Sequence, residues 1–164
     1  MADRPWLVFP VFRTALPCGD ADFFALAEDA GVRTLLERME LELDHLRRLA
    51  RRDAAELIAD DDLVAAVKYR FIVAIETAID VAQHVVAARG LRAPTDYADV
   101  FAVLVDAGLL PEGHVGTLQD MARFRNLLVH GYAVVDDSRV VDILHTRLDD
   151  LATLRRDLAN AALR

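Results

Sequence analysis

The sequence is short of cysteine, of basic charge and of long apolar runs, and each shortage removes a class of protein. Its one cysteine, Cys18, forbids an intrachain disulfide framework and suits a reducing compartment, so a cytoplasmic setting is expected. Nineteen Lys and Arg against 27 Asp and Glu leave a net charge of −8. Such a chain lacks the broad basic surface of a sequence-tolerant nucleic-acid binder, and any RNA contact has to be local, through a few arginines. No stretch approaches the roughly 20 uninterrupted apolar residues that span a bilayer, so no membrane is expected as a partner. There is no internal repeat and no low-complexity tract.

What is present is an apolar fraction of 54% in 164 residues, enough for one domain with a real core and too much for disorder. Trp6 to Phe12 is a short apolar run, interrupted by Pro10 and followed by Arg13. Ala15-Leu16-Pro17-Cys18 has a faint likeness to a lipoprotein cleavage site, but Pro17 before the cysteine opposes it. The segment is expected to be structure rather than an address. Residues 1–30 are read as an appended arm with a short helix starting near Asp20, and residues 31–164 as a helical bundle.

Helical periodicity dominates the rest. From Val32 to Arg52, apolar residues Leu35, Leu36, Met39, Leu43, Leu46 and Leu49 recur at three- and four-residue steps. Asp53 and Asp60 to Asp62 are N-cap candidates for a short helix and then a long one. The long one, about Leu63 to Arg89, is apolar around most of its circumference and stops at Gly90, so it is predicted to be central and buried. A third helix opens at Pro94-Thr95 and ends near Gly108. A fourth runs from about Glu112 to His130 and closes at Gly131, its start weakened by Gly113 and Gly116. Asp136-Asp137-Ser138 caps a last helix reaching Arg164. Short connections favour antiparallel neighbours, and the expected fold is an all-α up-and-down bundle of about five helices.

The strongest local signal is Arg125-Asn126-Leu127-Leu128-Val129-His130-Gly131-Tyr132. Arginine offers a permanent charge in a planar fork that matches phosphate, and histidine titrates near neutrality and moves protons. Five residues are about 500° of helix, so Arg125 and His130 diverge around the axis, while Asn126 and His130 share a face. One helix aims the pair poorly at one small target; two copies about a dyad bring both pairs into one cleft. Spacing alone leaves the plainer reading open, with Arg125 in a surface ion pair and His130 stabilising a helix C-terminus.

The motif and its setting resemble the HepT-like toxin family of the HEPN superfamily, whose Arg-x4-His-x-Tyr pattern is matched by Arg125, His130 and Tyr132, with Asn126 at the usual second position. The likeness extends to Ala74-Ile75-Glu76-Thr77-Ala78-Ile79-Asp80 on the long helix. It also takes in Arg89-Gly90-Leu91 with Pro94 and Tyr97, and Asp106-Ala107-Gly108-Leu109-Leu110. It covers about residues 32–160; the N-terminal arm has no counterpart. The resemblance implies a homodimeric, metal-independent ribonuclease with no cofactor. Its antitoxin is a minimal nucleotidyltransferase that adenylylates the motif tyrosine, here Tyr132. It implies catalytic roles for Arg125 and His130.

Glu76, Asp80 and His84 stand at i, i+4 and i+8 on one face of the long helix. Glu76 and Asp80 are candidates to border the cleft and orient Arg125 or His130, beside the plainer reading as structural polar contacts. Di-iron bundles need Glu-x-x-His pairs from several helices, which this spacing does not supply, so no metal is expected. His45, His114 and His145 are read as solvated or locally bonded, Lys68-Tyr69-Arg70 as a polar face rather than an RNA platform, and Cys18 as without a chemical role. Two functions remain in view. One is a toxin ribonuclease silenced by its partner; the other is a non-catalytic HEPN subunit that docks a nucleotidyltransferase and helps bind nucleotide or substrate. A purely structural helical dimer leaves the Arg-x4-His-x-Tyr grouping unexplained.

Overall fold

The computed structural model describes residues 21–131 and 135–163. Residues 1–20 of the expected arm, and Tyr132, lie outside the described residues. The described chain is all helical: α1 (Ala21–Leu49), α2 (Ala54–Ile58), α3 (Asp61–Ala88), α4 (Asp99–Asp106), a 3₁₀ turn (Glu112–His114), α5 (Val115–His130), α6 (Asp137–Thr146) and α7 (Leu148–Ala162).

The central helix is α3, which packs against all six other α-helices. Val67, Ala74, Ile75, Ala78, Ile79, Val81 and Ala82 are buried along it, on more than one face. By length and composition α3 would also suffice to cross a membrane. In this fold its apolar surface is covered by its neighbours, as the sequence pattern predicts. Asp60 caps it, its side chain accepting from the amides of Asp62 (3.0 Å) and Leu63 (3.1 Å). Its C-terminus closes at Gly90, in the left-handed region at φ 60°, where Leu91 N donates to Val86 O at 3.0 Å. Gly108 closes α4 in the same way, at φ 71°.

Several boundaries differ from the pattern-based expectation. The short helix near Asp20 and the helix from Val32 are one continuous α1, because Gly31 is tolerated within it. Asp53 sits at the N-cap of α2 but makes no side-chain cap bond, unlike Asp60 and Asp136. The start of α4 falls later than Pro94-Thr95, because the Asp96 carboxylate accepts from the amides of Ala98 and Asp99, both at 2.8 Å. The expected last helix is two. It breaks at Arg147 (φ −124°, ψ 8°), so that α6 packs on α2 and α3 while α7 runs beside α1 and α3. Asp149 and Asp150 then stand in the first turn of α7, where the positive end of the helix dipole favours acids.

Two polar side chains are buried among the described residues: Thr77, whose hydroxyl donates to the Val73 carbonyl at 2.7 Å, and Glu42. Glu42 is fully buried between Met39, Leu43 and Leu46 on α1. Its carboxylate meets Arg38 at 2.8 Å and Arg70 of α3 at 2.9 Å, and this second pair ties the two longest helices together. Removing a partner from a buried acceptor leaves the desolvation cost uncompensated. Arg70→Met should therefore lower unfolding free energy by about 1–3 kcal/mol in urea titration, with unchanged helix content. Glu42→Gln should mask most of the effect of adding Arg70→Met in a double-mutant cycle.

Candidate functional site

Helix α5 lies across α3. Leu118, Ala122 and Leu128 bury one side of it, and Phe124 meets Phe71 of α3 edge-on at 5.5 Å between ring centroids. That packing carries the neighbouring Arg125 inward, to 13% side-chain exposure, with its Nε 2.5 Å from Glu76 Oε2 on α3. Neither of these two buried atoms has another hydrogen-bond partner, and they do not meet in a linear hydrogen bond, so the contact is an ion pair. Arg125 Nη1 donates to Asn126 Oδ1 at 3.0 Å. Of the five guanidinium N–H donors, those on Nη2 have no partner among the described residues. The fork is thus anchored on one side and open on the other.

Tyr97 covers a further side of the guanidinium, its ring centroid 5.5 Å from Arg125 Cζ. The connection from α3 to α4 that carries Tyr97 is pinned. Arg92 clamps Asp99 through both nitrogens (2.7 and 2.8 Å), and the Thr95 amide donates to the same carboxylate at 2.8 Å. The Arg92 pair, with the Thr95 amide, holds the Asp99 carboxyl well below the usual carboxylate range. One turn along α3 from Glu76, Asp80 has its carboxyl pushed up, first by desolvation and then by the negative charge of Glu76, with Arg125 opposing.

Glu76, Asp80, Arg125 and Asn126 therefore come together at the crossing of α3 and α5. His130 does not join them: it is exposed at the last position of α5, and no hydrogen bond or ion pair to it is found among the described residues. His84, half-buried on the Glu76 and Asp80 face, is equally unpartnered there. Between Arg125 and His130, Leu127 is 45% exposed, a large apolar side chain open to solvent beside the site. Gly131, which caps the helix, has no room for a side chain, since a Cβ there would lie 2.7 Å from Leu127 Cδ1 and 2.9 Å from the Leu127 carbonyl oxygen.

The other groups singled out in the sequence are occupied locally. Lys68 pairs with Asp137 at 2.5 Å, and Arg70 serves Glu42 and lies over the Tyr69 ring at 5.7 Å. His45 Nδ1 is 2.6 Å from Arg48, His145 Nε2 is 3.1 Å from the Arg52 carbonyl, and His114 is 3.8 Å from Asp157. A cleft of about 500 Å³ between α3, α5, α6 and α7 contains neither Arg125 nor His130. Tyr97 as a wall of the arginine site is what sequence reading missed; an aromatic residue in a Pro-containing turn three positions after Pro94 was its only signal.

The raised Asp80 pKa has a signed consequence. The folded state binds this proton more tightly than the unfolded chain, so the group's contribution to stability falls as pH rises from its ordinary value of 3.8 through its folded value. Ionised Asp80 thus opposes folding at neutral pH. Asp80→Asn should raise the melting temperature at pH 7, and the gain should shrink as the pH is brought below the ordinary carboxylate value. An equal gain at all pH values would contradict this origin.

Comparison with known structures finds the same fold. A toxin–antitoxin MntA-HpeT mutant superposes with a TM-score of 0.71 at 20% identity, over 77% of this chain and 95% of that one. The cytosolic protein of unknown function YutE from Bacillus subtilis gives 0.69 at 18% identity, over 79% and 86%. A tri-AMPylated Shewanella oneidensis HEPN toxin in complex with its MNT antitoxin gives 0.60 at 21% identity, over 81% and 94%. Among curated protein sequences none matches significantly. The model of the ribonuclease HepT-like family matches residues 39–158, a span that takes in the crossing of α3 and α5 and the whole Arg-x4-His-x-Tyr motif, and the chain belongs to that family.

Proposed function

We propose that this chain is the toxin of a toxin–antitoxin pair, an endoribonuclease that cuts RNA without a metal ion and is silenced by adenylylation of Tyr132 by a minimal nucleotidyltransferase. The observation that carries the reading is the Arg125 fork, anchored by Glu76 and Asn126 with Nη2 unengaged among the described residues, five residues before a solvent-exposed histidine. Family membership supports it, as do the toxin–antitoxin complexes among proteins of the same fold.

The residue types suit transesterification. A proton leaves the RNA 2′-hydroxyl for neutral His130, and the 2′-oxygen bonds to the adjacent phosphorus. The bond from phosphorus to the 5′-oxygen breaks, and a protonated histidine returns a proton to that oxygen. Arg125 Nη2 offsets the charge that builds on the non-bridging oxygens. Because five residues of helix separate His130 from Arg125 around the α5 axis, the active unit in this reading is a homodimer whose dyad brings the two α5 C-termini together; the two His130 copies divide the base and acid roles. The exposed Leu127 between them fits an apolar contact at that dyad. DNA, lacking the 2′-hydroxyl, is not cut. AMP attached to Tyr132 would add a phosphodiester charge and an adenine next to the catalytic arginine, neutralising it and excluding RNA.

The test is cleavage of single-stranded RNA by the purified, unmodified chain in EDTA. Arg125→Ala and His130→Ala should each lower the rate by about 100-fold or more with intact circular dichroism. Leu127→Asp should give a monomer in light scattering and lose cleavage with it. Co-expression with the nucleotidyltransferase should add AMP to Tyr132 by intact mass, and Tyr132→Phe should abolish the adduct. If the unmodified wild-type dimer leaves RNA whole, the enzyme reading fails. The chain is then a docking subunit for a nucleotidyltransferase, a role consistent with its net charge of −8.

A further inference from the structure

Tyr97 has a second neighbourhood besides Arg125. On the α3–α4 side it walls a hollow of about 610 Å³, floored by Val86, Ala87, Leu91 and Pro94, with Gln83 at the rim. Arg125 does not line this hollow, so the ring is the wall common to the guanidinium and the cavity. Tyr97 is 41% exposed, and the clamp of Arg92 and Thr95 on Asp99 fixes the turn that presents it.

The lining chemistry selects its occupant. Among the described residues no Lys, Arg or His lines the hollow, and the Asp96 carboxylate in its lining disfavours a phosphate. An apolar floor and an aromatic wall suit a flat, neutral group. Thr95 and Asp96 are committed to the start of α4, Thr95 to Asp99 and Asp96 to the amides of Ala98 and Asp99. The Gln83 carboxamide, by contrast, has no hydrogen bond among the described residues. It offers both donors and an acceptor to the edge of a ring. Because Arg125 Cζ lies 5.5 Å from the Tyr97 ring centroid, a phosphate held on the guanidinium and a base seated against Tyr97 would be neighbours.

We propose that Tyr97 and the hollow behind it form a nucleobase subsite, which seats an unpaired RNA base beside the phosphate held by Arg125, with Gln83 reading the edge of that base. This rests on the RNA reading of the Arg125 site. It adds what that site lacks: a reason for single-stranded RNA to bind an acidic protein, since stacking on an aromatic ring does not depend on a broad positive surface.

The test uses the full-length chain and a fluorescein-labelled, single-stranded 2′-fluoro RNA, which cannot be cut, read by anisotropy. Tyr97→Ala should weaken binding by about tenfold or more, and Tyr97→Phe, which keeps the ring, should restore it. An abasic oligonucleotide of the same length should bind wild type and Tyr97→Ala equally weakly. Gln83→Ala should alter the order of preference among homopolymers. Unchanged RNA binding by Tyr97→Ala overturns the subsite; so does an equal loss on the abasic strand, since Tyr97 would then act only by steadying Arg125. Tyr97-dependent binding of free AMP without any Tyr97 effect on RNA would also overturn it, leaving a seat for a mononucleotide. Failure of the broader reading looks different: wild type and Arg125→Ala would then be alike in not binding RNA, and both proposals would fall together.

Discussion

Helix α3 is apolar around nearly its whole circumference, and a helix of that kind is stable in water only if other elements cover it. The rest of the fold answers that requirement, since every other helix touches α3. Three charged groups on α3 find outlets between its neighbours, while Asp61, Asp62 and Asp80 are exposed. Lys68 reaches Asp137 at the start of α6, Arg70 reaches the buried Glu42, and Glu76 receives Arg125 from α5. The candidate site lies at one of these outlets. It exists because a carboxylate on the central helix and an arginine on a covering helix arrive at the same crossing, with Phe71 and Phe124 setting the crossing one residue away.

The Glu76–Arg125 pair is partly exposed, at 35% and 13%, and that balance matters more than its raw Coulomb strength. A fully buried pair would spend its attraction on desolvation, and an exposed one would be screened to about 1 kcal/mol or less. At this half-buried edge the carboxylate fixes the orientation of the guanidinium without consuming all its donors. There is also an electrostatic cost, because Glu76 and Asp80 place negative charge beside Arg125, where the proposed function would seat a phosphate. The Asp80 carboxyl is pushed up first by desolvation, and the negative charge of Glu76 adds to it. Arg125 therefore cannot attract RNA from a distance as a basic groove would. On the proposed function it would act at short range, once other contacts had brought the strand in.

Much of this was legible in the sequence. The all-round apolar pattern of residues 63–89 predicts the central helix, Gly90 and Gly108 predict their helix ends, and Arg125, His130 and Tyr132 predict the family. The i, i+4 placement of Glu76 and Asp80 marked the face that meets Arg125. What escaped depends on tertiary packing. No glycine or proline announces the break at Arg147, which lets two consecutive helices cover different parts of the core. Glu42 looks like one more charge on α1 until Arg70, 28 residues away, is seen to meet it. Tyr97 reads as a turn residue because nothing local says that the turn folds back over Arg125 on another helix.

In the proposed function, Arg125 and His130 cut RNA through its own 2′-hydroxyl. The most direct measurement is the chemical identity of the ends left at the cut, by mass spectrometry of oligonucleotide products formed in EDTA. The expected products are a 2′,3′-cyclic phosphate on one fragment and a 5′-hydroxyl on the other, with no product when the nucleotide on the 5′ side of the cut is 2′-deoxy. Fragments with a 5′-phosphate and a 3′-hydroxyl, or cleavage that persists at a 2′-deoxy position, would contradict it.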